Sequence, residues 1–327
     1  MEYDDMLSKT PVFEHTILRN RAYYEKLILS RCSPLLPIPT KCTALLHEIH
    51  DIKAVLFDIY GTLLISGSGE VGSSIRKPEE PFAVSRFYDP VSEAGFYIHT
   101  SPEEFNGLCF PRYIRLIQSS HTSLRDQGIS HPEVDIISIW YELLSELLNE
   151  GILHGKIDSE TLIDTALRYE LYANKTWLMP GADDLLGILS RGRLVLGIVS
   201  NAQFYTPLIL ETLLGKSLND TGFSSDASAW SYYYRKAKPS LDLFSSVMDY
   251  IHLQGIENKQ VVYVGNDMLN DIFTARQIGL KTVLFAGDKR SLRMRKEKHQ
   301  LQTCQPDAII TELPQLTDLI SAGTIEE

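Results

Sequence analysis

Asp58 closes the apolar run AVLFD, and the turn Ile59-Tyr60-Gly61-Thr62 follows at once. Ser200-Asn201 closes a second apolar run, RLVLGIVS, and Lys238-Pro239 opens a helical pattern further on. A third run, KQVVYVG, ends in Gly265-Asn266-Asp267, with Asp271 four residues after Asp267. These residue types suit phosphoryl transfer. A carboxylate can attack phosphorus and carry the group covalently. A hydroxyl, an amide and an ammonium can hold the phosphoryl oxygens. Two or three carboxylates give an oxygen-rich seat for Mg²⁺, which neutralises the charge of the transferring group. Singly, each feature has a plainer reading. An aspartate after a strand is most often a turn or capping residue, Ser-Asn is an ordinary loop start, and Lys238 stands in a charge cluster with Arg235 and Lys236.

The elements that must position these residues follow from the hydrophobic pattern. KAVLFD is short, β-branched and apolar on both faces, as a buried parallel strand is. RLVLGIVS, KQVVYVG, KTVLFAG and PDAIITEL read as further strands. Between them GADDLLGILSRG, FYTPLILETLLG and PSLDLFSSVMDYIHLQG read as helices, the last opened by Pro239, and another helix ends near Gly279. PQLTDLI reads as a final helix. Strands alternating with helices predict an α/β fold: a Rossmann-like, doubly wound parallel sheet with helices on both faces. Ligands of such sheets sit at the carboxyl ends of the strands, where Asp58, Ser200 and Asp267 stand.

The rest of the chain reads as additions to that core. Residues 1–50 form a helical extension with the Pro-rich stretch SPLLPIPT, residues 66–74 (SGSGEVGSS) a linker, and residues 67–176 a mostly helical domain. Within it EVDIISIWYELLSELLNEG ends at Gly151, and DSETLIDTALRYELYANK starts from Asp158 or Ser159 as N-cap.

In order along the chain, VLFDIYGTLL, GIVSNA, KAKPSLDLF and VYVGNDMLNDIFTARQIGL resemble the four motifs of the haloacid dehalogenase-like hydrolases. The resemblance covers residues 51–66 and 177–327. It implies Asp58 as nucleophile, with Gly61, Thr62, Ser200, Asn201 and Lys238 around the substrate. It further implies Mg²⁺ on Asp58, the backbone carbonyl of Tyr60, and the acidic pair Asp267 and Asp271. Asn266 is the alternative to Asp267 as direct ligand; the charge of Asp267 favours it, and Asp271 then orients Lys238 or a metal-bound water. The helical insert stands where this family places a mobile cap that sets specificity.

Tyr60 departs from the phosphatase pattern. Phosphatases of the family usually carry an aspartate there, which protonates the leaving group and then activates water. A phenol, with an unperturbed pKa of about 10, is a weak acid and almost no base at neutral pH. Asp-x-Tyr-Gly-Thr is instead similar to the haloacid dehalogenases, whose halide leaves without a proton. Their chemistry needs no metal-binding acidic pair, and neither Arg86 nor Arg112 has the context of a halide cradle. The expectation is therefore a Mg²⁺-dependent phosphatase or phosphotransferase acting on a small phosphate ester. A dehalogenase, or a catalytically weak member that binds a ligand or partner, are the alternatives. If Tyr60 is not the acid, Glu70 or Glu79 could supply the proton.

Composition sets the outer bounds. The chain has 327 residues, 44% of them hydrophobic, and a net charge of −11. That charge disfavours a nucleic-acid partner. No apolar run reaches the roughly 18 residues of a membrane helix. The acidic start MEYDDMLSKT lacks a secretory h-region, and Cys32, Cys42, Cys109 and Cys304 are scattered, so free thiols in a reducing cytoplasm are expected. GSGEVG (67–72) has the spacing of a dinucleotide loop but lies several residues past Asp58 and is followed by KPEEPF, a poor helix, so it reads as a hinge. KRSLRMRKEKHQ, from Lys289, reads as a solvated helix face. His47 and His50 lie three apart on a probable helix without a carboxylate to complete a metal site.

Overall fold

The structure, a computed structural model, describes residues 10–68 and 86–322. Glu70, Glu79 and most of the 66–74 linker, with four of the six residues of GSGEVG, lie outside the described residues. The chain divides into two compact units. One draws on Met1–Cys32, Ser73–Ile129 and Val134–Lys175, the other on Ser33–Gly72, Ser130–Glu133 and Thr176–Glu327.

The second unit is built on a six-stranded sheet. Its strands are β1 (Ala54–Phe57), β2 (Val195–Ser200), β3 (Phe223–Trp230), β4 (Val261–Gly265), β5 (Lys281–Phe285) and β6 (Ala308–Ile310). The spatial order is β6-β5-β4-β1-β2-β3, and every pairing is parallel. All four residues of β1 are buried, because helices cover both faces of a central parallel strand. β1 lies between β2 and β4, with Leu56 opposite Gly197 on one side and Tyr263 on the other. The connection order reverses there, so the carboxyl ends of β1, β2 and β4 open onto one crevice. Three core helices follow: α1 (Ala182–Arg191), α2 (Tyr205–Leu214) and α3 (Asp242–Leu253). The inner face of α3 packs Phe244, Val247 and Ile251 against Leu56, Val199 and Tyr263. Each such fully buried side chain contributes roughly 1.5–3 kcal/mol.

The other unit is helical. Pro102–Asp126, Ile136–Asn149 and Ser159–Ala173 are its long helices. Asp135 caps the second, and Asp158 with Thr161 forms a reciprocal cap on the third. Phe87, Tyr113, Trp140 and Tyr169 interlock in its core. The helices Thr10–Arg19 and Arg21–Arg31 belong here, with Tyr23 Oη donating to Asp164 Oδ1 at 3.0 Å. Residues 33–50, read in the sequence as part of the extension, fall in the sheet unit. Among the described residues no helix is long and apolar enough to cross a membrane.

Three sequence expectations are corrected. β3 was not anticipated, because FSSDASAW is polar; it is an edge strand whose outer positions need no apolar side chain. His50 lies in a short strand, Ile49–Ile52, paired with Ile320–Ala322, so His47 and His50 do not share a helix face. Residues 289–298 form no helix. They run as an irregular strap anchored by the buried Asp288, which accepts from the backbone N–H of Ile38 and from the backbone N–H and guanidinium of Arg290.

Candidate active site

Asp58, immediately beyond β1, is 7% exposed and bonded through its backbone N–H to the Val264 carbonyl of β4 at 2.9 Å. Its Oδ1 accepts from Ser200 Oγ at 2.9 Å and from Lys238 Nζ at 2.8 Å. No other described side chain bonds its Oδ2. Ser200 is the last residue of β2, so the adjacent pairing of β1 and β2 brings the hydroxyl to the carboxylate.

Lys238 reaches the same place from the other direction, through a loop whose Lys238–Pro239 bond is cis. Its backbone is clipped by Asn201: Lys238 N–H donates to Asn201 Oδ1 at 2.7 Å, and Asn201 Nδ2 donates to the Lys238 carbonyl at 3.2 Å. The amide that the sequence places on the substrate is thus committed to the backbone. The ammonium makes three bonds, to Asp58 Oδ1, to Asp271 Oδ1 at 2.6 Å and to Tyr263 Oη at 2.8 Å. An ammonium has three protons, so no donor of Lys238 remains for a ligand. Burial alone would depress the Lys238 pKa; the carboxylates of Asp271 and Asp58 outweigh it and hold it above the ordinary lysine range.

Asp271 is 1% exposed. Its Oδ2 accepts the Asp267 backbone N–H at 2.9 Å. Burial, opposed by Lys238 and assisted by the negative Asp58 and Asp267, pushes its pKa up to about 7. The carboxylate presses so closely on β4 that a Cβ at Gly265 would lie 2.5 Å from it, which leaves glycine as the residue that fits.

Asn266 and Asp267 diverge. Asp267 Oδ1 accepts the backbone N–H groups of Leu269 at 2.8 Å and Asn270 at 3.2 Å, as an N-cap does. Its Oδ2 is paired with Arg295 Nη2 at 2.6 Å. Asn266 instead faces the turn after β1. Its Nδ2 donates to the Ser291 carbonyl at 2.6 Å, which fixes the amide orientation, and its Oδ1 takes a long contact of 3.4 Å from Thr62 Oγ1. Gly61 has φ +83°, and a Cβ there would meet Asn266 Nδ2 at 2.5 Å. Two features thus require glycine at this turn, and Asn266 rather than Asp267 is the residue packed against it.

Among the described residues no three His, Cys, Asp or Glu side chains gather as a metal site. Oxygen donors of other kinds are present. The Asp58 carboxylate, the Tyr60 carbonyl and Asn266 Oδ1 belong to the two adjacent turns after β1 and β4. Mg²⁺ is commonly held by one or two carboxylates with waters and substrate oxygens completing the shell, so this donor set fits it, with a single carboxylate. Tyr60 itself is 5% exposed, and its hydroxyl accepts from Thr206 Oγ1 at 3.2 Å.

Three residues escaped the sequence reading. Tyr263 stands inside the apolar run of β4 and gave no signal beyond its type. Arg295 was hidden in the basic strap. Glu133, from the segment Ser130–Glu133, accepts from Ser231 Oγ at 2.8 Å and Gln203 Nε2 at 3.1 Å, bracing the loop after Ser200.

The model of the haloacid dehalogenase-like hydrolases matches residues 52–279. No curated protein sequence matches the chain significantly. Among solved structures, the chain is similar to a 2-haloacid dehalogenase from Pseudomonas syringae pv. Tomato DC3000, with 19% identity, 82% of this chain and 97% of that one covered, and a TM-score of 0.50. It is similar to a HAD phosphatase from Thermococcus onnurineus, with 21% identity, 82% and 97% coverage and a TM-score of 0.46. L-2-haloacid dehalogenase from Xanthobacter autotrophicus gives 21% identity, 82% and 98% coverage and a TM-score of 0.42. At 19% identity the first of these likenesses speaks to the fold and not to the reaction.

Proposed function

The chain belongs to the haloacid dehalogenase-like hydrolase family, and from that premise we propose that it hydrolyses small phosphate esters through a phosphoryl group carried on Asp58. The observation that carries this reading is the asymmetry of the Asp58 carboxylate. Ser200 and Lys238 both hold Oδ1, which leaves Oδ2 to attack. Asp58 Oδ2 forms a bond to phosphorus as the bond to the leaving oxygen breaks. Water then attacks phosphorus as its bond to Oδ2 breaks; phosphate departs, the proton of the water passes through solvent to the displaced oxyanion, and the carboxylate is restored. Ser200 and Lys238 keep Oδ1 fixed through both steps. Asn201 acts through the Lys238 backbone. The Gly61-Thr62 turn shapes the ground on which the substrate oxygens rest. When bound by Asp58, the Tyr60 carbonyl and Asn266, Mg²⁺ would offset the charge of the transferring group.

Tyr60 gives the leaving group poor protonation, so aryl and acyl phosphates are the favoured class. A second reading, displacement of halide from a 2-haloacid, is favoured by one observation: Arg295 and Lys238 already balance much of the charge of Asp267, Asp271 and Asp58. A screen of phosphate esters and 2-haloacids, each with and without Mg²⁺, separates the two. Metal-dependent release of phosphate supports the first; metal-independent release of halide replaces it with the second.

A further inference from the structure

Lys238 is held by two carboxylates and a third, neutral partner. Tyr263 is fully buried in β4. Its hydroxyl accepts from Lys238 Nζ at 2.8 Å and has one proton to give. The Val199 carbonyl, at 2.6 Å, is the nearer acceptor; Asp271 Oδ1 lies at 3.3 Å. Val199 immediately precedes Ser200 on β2. One hydroxyl therefore joins the ammonium that grips Asp58 to the strand end that presents Ser200.

The ring is fixed as well as the hydroxyl. Phe244 of α3, six residues after Lys238, meets it edge to face with centroids 5.1 Å apart. The backbone of Tyr263 is paired with Leu56 of β1 and Thr282 of β5. A phenol so placed has little freedom in either its position or its proton. A Phe in its place would leave the third ammonium proton and the Val199 carbonyl without this partner, in an interior where unpaired polar groups are costly.

We propose that Tyr263 is a positioning residue: through Lys238 and Val199 it holds Ser200 and the ammonium on the same oxygen of Asp58, so that the other oxygen points at the substrate. The catalytic consequence rests on the reading of Asp58 as nucleophile. Tyr263 touches no reacting atom, and its removal should affect the rate of the chemical step while sparing substrate affinity.

The test is a double-mutant cycle of Tyr263→Phe and Lys238→Met, followed both by turnover of 4-nitrophenyl phosphate with Mg²⁺ and by urea unfolding. Tyr263→Phe is expected to lower kcat by roughly 10- to 100-fold with KM within about threefold, as for an interaction that matters in the transition state. In the Lys238→Met background the same change should have almost no further effect on kcat. In unfolding, the two substitutions should couple by at least about threefold in the unfolding constant. Phe244→Leu, which keeps the hydroxyl but loosens the ring, should lower kcat by a smaller factor, so a poorly folded Tyr263→Phe leaves the question decidable. Equal loss of kcat in the wild-type and Lys238→Met backgrounds, or a change confined to KM, overturns the proposal. So does additive unfolding. Wild-type enzyme inert towards 4-nitrophenyl phosphate overturns the phosphatase reading and the catalytic consequence together, while the unfolding cycle alone still decides whether Tyr263 holds Lys238.

Discussion

Arg295 Nη2 lies 2.6 Å from Asp267 Oδ2, so the charge for which the sequence favours Asp267 as a metal ligand is paired with a guanidinium. The other Asp267 oxygen caps the segment that follows. Asp267→Ala should therefore cost about 0.5–2 kcal/mol of stability, the usual range for a lost cap. It should leave the rise in melting temperature with millimolar Mg²⁺ intact. Asn266→Ala should abolish that rise and Asn266→Asp enlarge it, because a ligand of the native state stabilises as RT ln(1 + [L]/Kd). Loss of the Mg²⁺ response in Asp267→Ala alone would return the ligand role to Asp267.

Asp58→Asn changes one atom of a nearly buried side chain and keeps its volume. It should abolish turnover of any substrate found while the circular dichroism spectrum is unchanged. A pure, folded Asp58→Asn protein with near wild-type kcat would rule out covalent catalysis by this residue.

Tyr60 provides a prediction about leaving groups. Across a series of phosphate esters, kcat should fall steeply as the leaving alcohol becomes more basic, since a phenol, with an ordinary pKa of about 10, is a poor acid at neutral pH. Tyr60→Asp should raise turnover of alkyl phosphates by about 10-fold or more, within the range of positioned acid-base catalysis. A flat series in the wild type would place the proton on another group. A folded Tyr60→Asp enzyme that is slower on every ester would make the tyrosine a residue that shapes the site.

Much of the site could be read from the sequence, because strands apolar on both faces announce their own ends. Asp58, Ser200 and Asp271 stand at or just beyond such ends, and the structure brings them together through Lys238 and the sheet. Asn266 and Asp267 could not be separated in the same way. Composition favours the charge of Asp267, and only the position of Arg295, contributed by a non-helical strap 28 residues later in the chain, shows where that charge is used. Tyr263 was hidden for a different reason: its ring satisfies the apolar pattern of β4, and its hydroxyl has no pattern to break. The edge strand β3 was missed because the burial that produces an apolar signature is absent from much of its length.

Asp271 should impose a pH dependence on stability. Its folded-state pKa is raised to about 7, against roughly 3.9 for a free aspartate. The folded protein thus binds this proton more tightly than the unfolded chain. The resulting stabilisation is complete below the unfolded value and is lost as pH rises towards 7. Asp271→Asn carries no such proton. Urea unfolding at pH 5 and pH 8 should show a smaller loss of stability for Asp271→Asn than for the wild type. Equal losses would mean that Lys238 keeps Asp271 ionised throughout this range.

The central claim is that Asp58 itself carries the phosphoryl group. The most direct measurement is mass spectrometry of acid-quenched enzyme after a single turnover of 4-nitrophenyl phosphate with Mg²⁺, in wild type and Asp58→Asn. The account expects one phosphoryl group on the peptide containing Asp58, formed as fast as 4-nitrophenol appears and absent from the variant. Release of 4-nitrophenol with no phosphorylated Asp58 at any quench time, or labelling of a different peptide, would contradict it.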